Sequence, residues 1–529
     1  MIRPEALARD EPLFWSPGRG TDVWAMFEAA AAGDVPALER LLDADPSLLR
    51  CQYEYRTPLS FAVRENRIGA AVVLLERGAR EFQDAIETAR ERGYQDMAAM
   101  LEETLARLWG VSPGGETAAS TIRGRDTAAL RALLDADAGL VHAADRFGNR
   151  PIHWAAMTRQ PEAIDELLAR GADLEARRPD GARPLQLVNG DYHYRGWRDV
   201  PAEVTTTPLE VLEHLRSRGA SIDLCTASWI GDLARVRELL AEDPGLANRP
   251  SDYVTWYAGS GTPLRNAAGG GHIEIVRLLL EHGADPNLPE EHIAPAGHAL
   301  HSAVANGHHA IVELLLERGA RPNVEVESSA DTLSAAIRNE DERMIELLCS
   351  HGAASAVQLL AYYGDLRTAA AVFAANPDLA DDGDALENAG GPFVRLMLRY
   401  RPDLPRRVTI LKTPELNRLL FAHGMDAARP NWLGITPLHE LAKRGDLENA
   451  ALFLERGADP NALEEEDRST PLGWAARSGR AEMVDLLLRH GADPALPEEH
   501  PWARPLAWAT RRGHGAIVER LSAVGNRRS

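Results

Sequence analysis

The sequence predicts an all-α fold, a linear stack of short helical hairpins. Three observations carry that prediction. The first is a complete unit between Thr262 and Asn287. Thr262-Pro263-Leu264 opens a short helix, and Gly269 to His272 turns the chain. Ile273 to His282 forms a second helix, with Ile273, Val276, Leu279 and Leu280 at helical spacing on one side. Gly283 closes that helix, and Asp285-Pro286-Asn287 leads into a turn. The second observation is recurrence. Gly319-Ala320 lies 36 residues after Gly283-Ala284 (319 − 283), and Thr470-Pro471-Leu472 lies 34 after Thr436-Pro437-Leu438 (470 − 436). The third is size. At 529 residues the chain exceeds the usual single-core limit of about 250–300. A stack escapes that limit because each unit needs only its neighbours.

In order along the chain, residues 1–20 are rich in Pro and Gly and read as an arm or cap. Leu13, Phe14 and Trp15 are placed to cover the first unit, because a terminal repeat has one face without a neighbour. Residues 21–110 hold the first units, one opened by Thr57-Pro58-Leu59. Residues 111–117, Val-Ser-Pro-Gly-Gly-Glu-Thr, read as a linker or kink. Units resume over 118–383. One runs 48 residues from Gly171 to Gly219 (219 − 171), about 15 beyond the period, with the excess at 189–207. Two further long connections follow at 250–261 and 288–297. Residues 384–434 are degenerate, with Pro392, Pro402, Pro405 and Pro414 expected to break helices. Regular units return over 435–529.

The best-formed unit starts are Asn149-Arg150-Pro151-Ile152-His153-Trp154-Ala155-Ala156, Thr436-Pro437-Leu438-His439 and His298-Ala299-Leu300-His301. Together with the recurring Gly-Ala pairs at Gly78, Gly171, Gly219 and Gly352, they resemble the ankyrin-repeat family. The resemblance covers nearly all of the chain from about Asp22 to Gly525. It implies a solenoid of about 15–16 helix–turn–helix units joined by β-turn or hairpin loops. It also implies protein–protein recognition without intrinsic catalysis, by a scaffold, adaptor or inhibitor that uses its concave and loop face.

Composition narrows the partners. Lys and Arg number 58 against 79 Asp and Glu, a net charge of −21. That disfavours nucleic acid, which needs a basic footprint. Glu290, Glu291, Asp252 and Asp191 favour a protein partner with a basic patch. Cys51, Cys225 and Cys349 lack metal-ligand spacing and fit a reduced compartment, the latter two as small apolar fillers of helices. No apolar run suits a signal peptide or a membrane span, so a cytoplasmic location is expected.

Most of the 17 histidines have a place in the repeat. His153, His301 and His439 stand where the imidazole bonds backbone between repeats, as the resemblance implies. His272, His308 and His514 follow the turn glycine. His282, His351, His423 and His490 precede the helix-ending glycine, where a cation suits the helix dipole. Trp154, Trp474 and Trp508 share one position and read as packing. Gly269-Gly270-Gly271 lacks the Lys and Ser/Thr of a phosphate loop, and no catalytic motif is present.

The candidate binding residues cluster in the three long connections. Tyr192, His193, Tyr194 and Trp197 occupy the first, and Tyr253, Trp256 and Tyr257 the second. Glu290, Glu291, His292 and His298 occupy or follow the third. Tyr and Trp combine a large apolar body with a polar tip, which suits interaction hot spots. The competing role for these rings is a small core of their own within folded-down loops. The alternative function is a small-molecule or metal site, enzymatic or not, closed by the same loops over His292 and His298. No cofactor is expected.

Overall fold

The computed structural model describes all residues except 14–15, 81, 192, 254–256, 289–297, 324–331, 354–356, 408, 410 and 529. The chain divides into two compact bodies. The smaller comprises Met1–Ala8, Glu91–Gly93 and Ser355–Ser529, and the larger comprises Arg9–Arg90 and Tyr94–Ala354. Both are all-α, and the β-structure among the described residues is limited to isolated bridges. Among those residues no helix is long and apolar enough to cross a membrane.

Helices pair in sequence order in each body. In the larger, Pro151–Met157 is followed by Pro161–Ala169, Pro263–Gly269 by Ile273–Glu281, and Ala299–Ala305 by His309–Glu317. In the smaller, Pro437–Arg444 precedes Leu447–Glu455, and Pro471–Arg477 precedes Ala481–Arg489. Proline at the first helical position costs no hydrogen bond, and Thr on its N-terminal side caps the helix. Thr262 Oγ1 accepts from the Arg265 N–H at 3.2 Å, and Thr470 Oγ1 accepts from Gly473 at the same distance. Each second helix buries one stripe, such as Ile275, Val276 and Leu279, or Met483, Val484, Leu486 and Leu487.

Polar side chains stitch each hairpin to the next. Asn287 donates from Nδ2 to Gly319 O at 2.9 Å and accepts at Oδ1 from Arg321 N at 2.8 Å. Asn248 makes the same pair with Gly283 O and Asp285 N, and Asn461 with Gly491 O and Asp493 N. His272, His308 and His514 each reach back 3.1 Å to a carbonyl of the preceding hairpin, at Trp229, Gly269 and Arg477. Those imidazoles lie on Gly231, Gly271 and Gly479. These glycines have positive φ, and an added Cβ would stand 2.6–2.9 Å from the ring. His282, His351 and His423 instead bond the carbonyl four residues earlier and cap their own helices.

Several expectations change. Residues 113–117 are not a break: they begin the helix Pro113–Arg123, and Ser112 Oγ accepts from Gly115 N at 3.2 Å. Pro392 and Pro414 do not interrupt helices, because each sits in the first turn of one, Gly391–Tyr400 or Pro414–Ala422. Cys51 and Cys225 are buried as fillers, but Cys349, in Glu342–Ser350, is exposed. Phe14 and Trp15 fall outside the described residues.

His153 and His439 are buried in the first turns of their helices. His153 Nδ1 accepts from Arg150 N at 2.9 Å, and Nε2 donates to Ala176 O at 2.9 Å. His439 Nδ1 accepts from Thr436 N at 3.2 Å, and Nε2 donates to Ser469 O at 3.4 Å. This geometry needs the neutral ring. Burial pushes His153 down to about 3 and His439 to about 4, from an ordinary 6.5. The unfolded chain therefore takes up protons that the fold refuses. The stabilisation is complete above pH 6.5 and is lost as pH falls through the window down to about 4 and 3. Melting temperature is expected to drop between pH 6.5 and 4. His439→Gln should flatten that drop by about 3 kcal/mol for the smaller body, measured by calorimetry across the pH series.

Candidate functional site

The 189–207 insertion lies inside one hairpin, between its two helices. The first helix of that hairpin is reduced to a single 3-10 turn, Pro184–Leu187, and the second is Pro208–Ser217. The chain leaves the turn through Gly190, whose φ is +88 and whose added Cβ would lie 2.1 Å from Tyr194 O. Only glycine allows that tight reversal, which an isolated bridge between Gly190 and Arg195 closes.

One buried arginine holds the insertion. Arg178 Nη1 donates to Asp191 Oδ2 at 2.7 Å and to Asn149 Oδ1 at 2.8 Å. Its Nη2 donates to Asp180 Oδ2 at 2.6 Å and also to the Tyr257 hydroxyl. Tyr257 donates in turn to Asp180 Oδ2 at 2.6 Å. The cluster joins three fingers of chain to the insertion. Burial alone would disfavour the charge on Arg178, but Asp180, Tyr257 and Asp191 reverse that and hold its pKa above the usual range. Burial would likewise raise Asp180, and Arg178 keeps it below the ordinary carboxylate value. Asp191 also accepts from the N–H groups of His193 and Tyr194.

The candidate residues divide sharply. Tyr253 is 1% exposed, and its hydroxyl donates to Gly259 O at 3.0 Å. Tyr257 is 7% exposed within the arginine cluster. Both rings serve as the loop's own core. His298 is also buried, at the start of Ala299–Ala305, and burial lowers its pKa. Tyr192, Trp256, Glu290, Glu291 and His292 lie outside the described residues. Asp191 is buried against Arg178 and is not displayed for a basic partner, whereas Asp252 stays exposed but is ion-paired to Arg177 at 2.6 Å.

His193, Tyr194 and Trp197 remain at the surface. His193 stacks on Phe147 with ring centres 4.1 Å apart, and Arg146 lies over the same Phe147 ring at 4.8 Å. Tyr194 meets Trp154 edge-on at 5.4 Å. Trp197 is 64% exposed, with Arg195 over its ring at 5.4 Å. Arg159 Nη2 bonds Gly196 O at 2.9 Å and pins the middle of the insertion, next to Trp197. Arg195 stands beside the rings in the sequence itself, but Arg146 and Arg159 carry no such signal, because each is unremarkable within its own repeat.

The three equivalent tryptophans are all buried, each under a cation 31 positions earlier: Arg123 over Trp154 at 4.8 Å, Lys443 over Trp474 at 5.4 Å and Arg477 over Trp508 at 4.5 Å. Asp145 accepts the Trp154 indole N–H at 2.7 Å, and Glu464 accepts that of Trp474 at 3.2 Å. In the smaller body, Lys443, Asp467, Trp474, Arg477, Ser478 and Arg512 line an open cleft of about 380 Å³. Two of its cations are already paired, Arg477 with Asp467 and both Arg477 and Arg512 with Glu91. Among the described residues no three His, Cys, Asp or Glu side chains gather as a metal would require.

Arg178→Met should leave the Asp191 carboxylate buried without its cation. The expected cost is about 3–5 kcal/mol in the larger body. Hydrogen exchange over 189–207 should rise to the level of an open loop, which amide exchange with mass spectrometry will read.

Comparison with known proteins completes the picture. The ankyrin-repeat model that spans several repeats matches residues 224–326, 411–498 and 438–527, and a single-repeat model matches 147–176. The chain is 27% identical over 218 residues to a transient receptor potential cation channel subfamily A member 1 homolog of Caenorhabditis elegans, covering 40% of this chain and 16% of that protein. It is 35% identical over 98 residues to a putative ankyrin repeat protein of Fowlpox virus (strain NVSL), 18% of this chain and 50% of that one. It is 47% identical over 57 residues to the 2-5A-dependent ribonuclease of Mus musculus, 11% of this chain and 7% of that one. The chain thus spans half or less of each of these relatives. Matched repeats in both bodies, all-α hairpins and backbone-bonding histidines at His153 and His439 agree, and the chain belongs to the ankyrin-repeat family.

Proposed function

We propose that this protein is a binding module, a scaffold, adaptor or inhibitor that recognises a protein partner through the 189–207 insertion of its larger body. The observation that carries this reading is Trp197. Its ring is 64% exposed just after a stretch that is tied down twice, at Asp191 by Arg178 and at the adjacent Gly196 by Arg159. An exposed aromatic on a rigid support loses little freedom on binding, which is the economy of a hot-spot anchor. His193 and Tyr194 flank it, braced on Phe147 and Trp154. Ankyrin repeats generally act through protein contacts, which supports the partner class.

The test is a photo-crosslinker placed at position 197, followed by purification of the captured protein and titration against the whole chain. Trp197→Ala should weaken that partner by at least about tenfold, a hot-spot loss of about 1.4 kcal/mol or more, with the melting temperature unchanged. Affinity unaltered by Trp197→Ala would overturn the reading.

A further inference from the structure

We infer that the face beside Trp197 recognises an acidic segment of the partner protein, through Arg123, Arg125 and Arg159 grouped around Trp154 and Tyr194. The inference rests on the binding role proposed for the insertion and adds the chemistry of the partner.

The argument begins with a contrast between two sides of the same repeats. On the second helices the arginines are neutralised at home. Arg131 and Arg170 share Glu166 at 2.7 Å each, Arg170 also meets Asp135 at 2.7 Å, and Arg218 meets Asp165 at 2.7 Å. At the ends of the first helices the pattern stops. Arg123, Arg125 and Arg159 have no carboxylate within ion-pair distance among the described residues. Their bonds go to neutral groups instead. Arg123 lies over the Trp154 ring, Arg125 Nη1 donates to Thr158 O at 2.6 Å, and Arg159 Nη2 donates to Gly196 O at 2.9 Å. Arg159 Nε is buried without an acceptor. Trp154, under Arg123, meets Tyr194 edge-on at 5.4 Å, and the carbonyls that Arg125 and Arg159 bond, at Thr158 and Gly196, lie four and two residues along the chain from those rings. Asp199, whose backbone carbonyl accepts from the Tyr194 hydroxyl at 3.2 Å, has its carboxylate already held by Arg198 at 2.9 Å and by the Arg195 N–H at 2.7 Å.

In a chain of net charge −21, three uncompensated guanidinium groups at one place are an exception that complementary charge explains. Guanidinium groups suit carboxylates because their planar donors match two oxygens at once. Arg125 and Arg159 hold the same position in successive repeats, 34 residues apart (159 − 125), both at left-handed φ, +57 and +56. Neighbouring helices pack about 8–10 Å apart. An extended peptide advances about 3.3 Å per residue, so acidic side chains about three residues apart match that spacing. An aromatic or aliphatic residue beyond them would reach Trp197.

The experiment measures fluorescence anisotropy of labelled peptides against the whole chain at low salt. The probe carries two Glu three residues apart and one Leu, and its controls replace Glu by Gln or by Lys. The Glu peptide should bind at least about tenfold more tightly than either control and should weaken as salt rises. Arg123→Glu, at an exposed residue that makes no backbone bond, should abolish that preference, and Arg123→Lys should keep most of it. Equal binding of the Glu and Lys peptides would overturn the inference. So would displacement by inorganic phosphate at equal concentration, which would mark a simple anion site. A crosslinked partner that loses affinity with Trp197→Ala but not with Arg123→Glu would leave the binding role standing and remove the acidic preference alone. A partner indifferent to Trp197→Ala removes the binding role itself.

Discussion

Each hairpin in this chain owns less apolar surface than it needs, and it satisfies its remaining polar groups on its neighbour. That dependence governs the rest. The Asn248, Asn287 and Asn461 amides each span to the next hairpin with a donor and an acceptor. The His272, His308 and His514 rings each span back. The apolar stripes fix which faces meet, and these directional bonds fix the spacing at which they meet. A glycine beneath each imidazole is the steric corollary.

A regular lattice of this kind gives binding little to work with, because its exposed positions repeat. Specific chemistry therefore arises where the lattice is broken. Here a first helix shrinks to Pro184–Leu187, and the chain released from it crosses to Asp191 and Gly196, two fixed points. The break is stabilised by an ionic node instead of by apolar packing. A buried Arg178 is tolerable only because Asp180, Asp191, Asn149 and Tyr257 satisfy it together.

Much of the architecture was legible in the residues. Thr-Pro-Leu starts, Gly-Ala ends and a near-constant period placed the hairpins, and simple subtraction found the insertion. The roles of Tyr253 and Tyr257 were not legible. Aromatic residues in a long connection look like surface anchors unless the groups that bury them are known, and for Tyr257 those groups are Arg178 and Asp180, 79 and 77 positions away. The prolines at 392 and 414 misled for a related reason: proline breaks a helix from inside but starts one from its first turn, and pattern alone left that phase open. The unpaired arginines carried no local signal at all. Their meaning lies in the carboxylates that are absent nearby, which only the folded chain reveals.

The shortened helix Pro184–Leu187 also sets the mechanics of the larger body. Regular hairpins share load through two helices apiece, whereas this one presents a single 3-10 turn, a loop and one helix, Pro208–Ser217. In a nearest-neighbour array, cooperativity is only as strong as the weakest junction. Tension applied along the stack is thus concentrated at this joint, and the segment bearing Trp197 doubles as a fuse that yields before the repeats on either side.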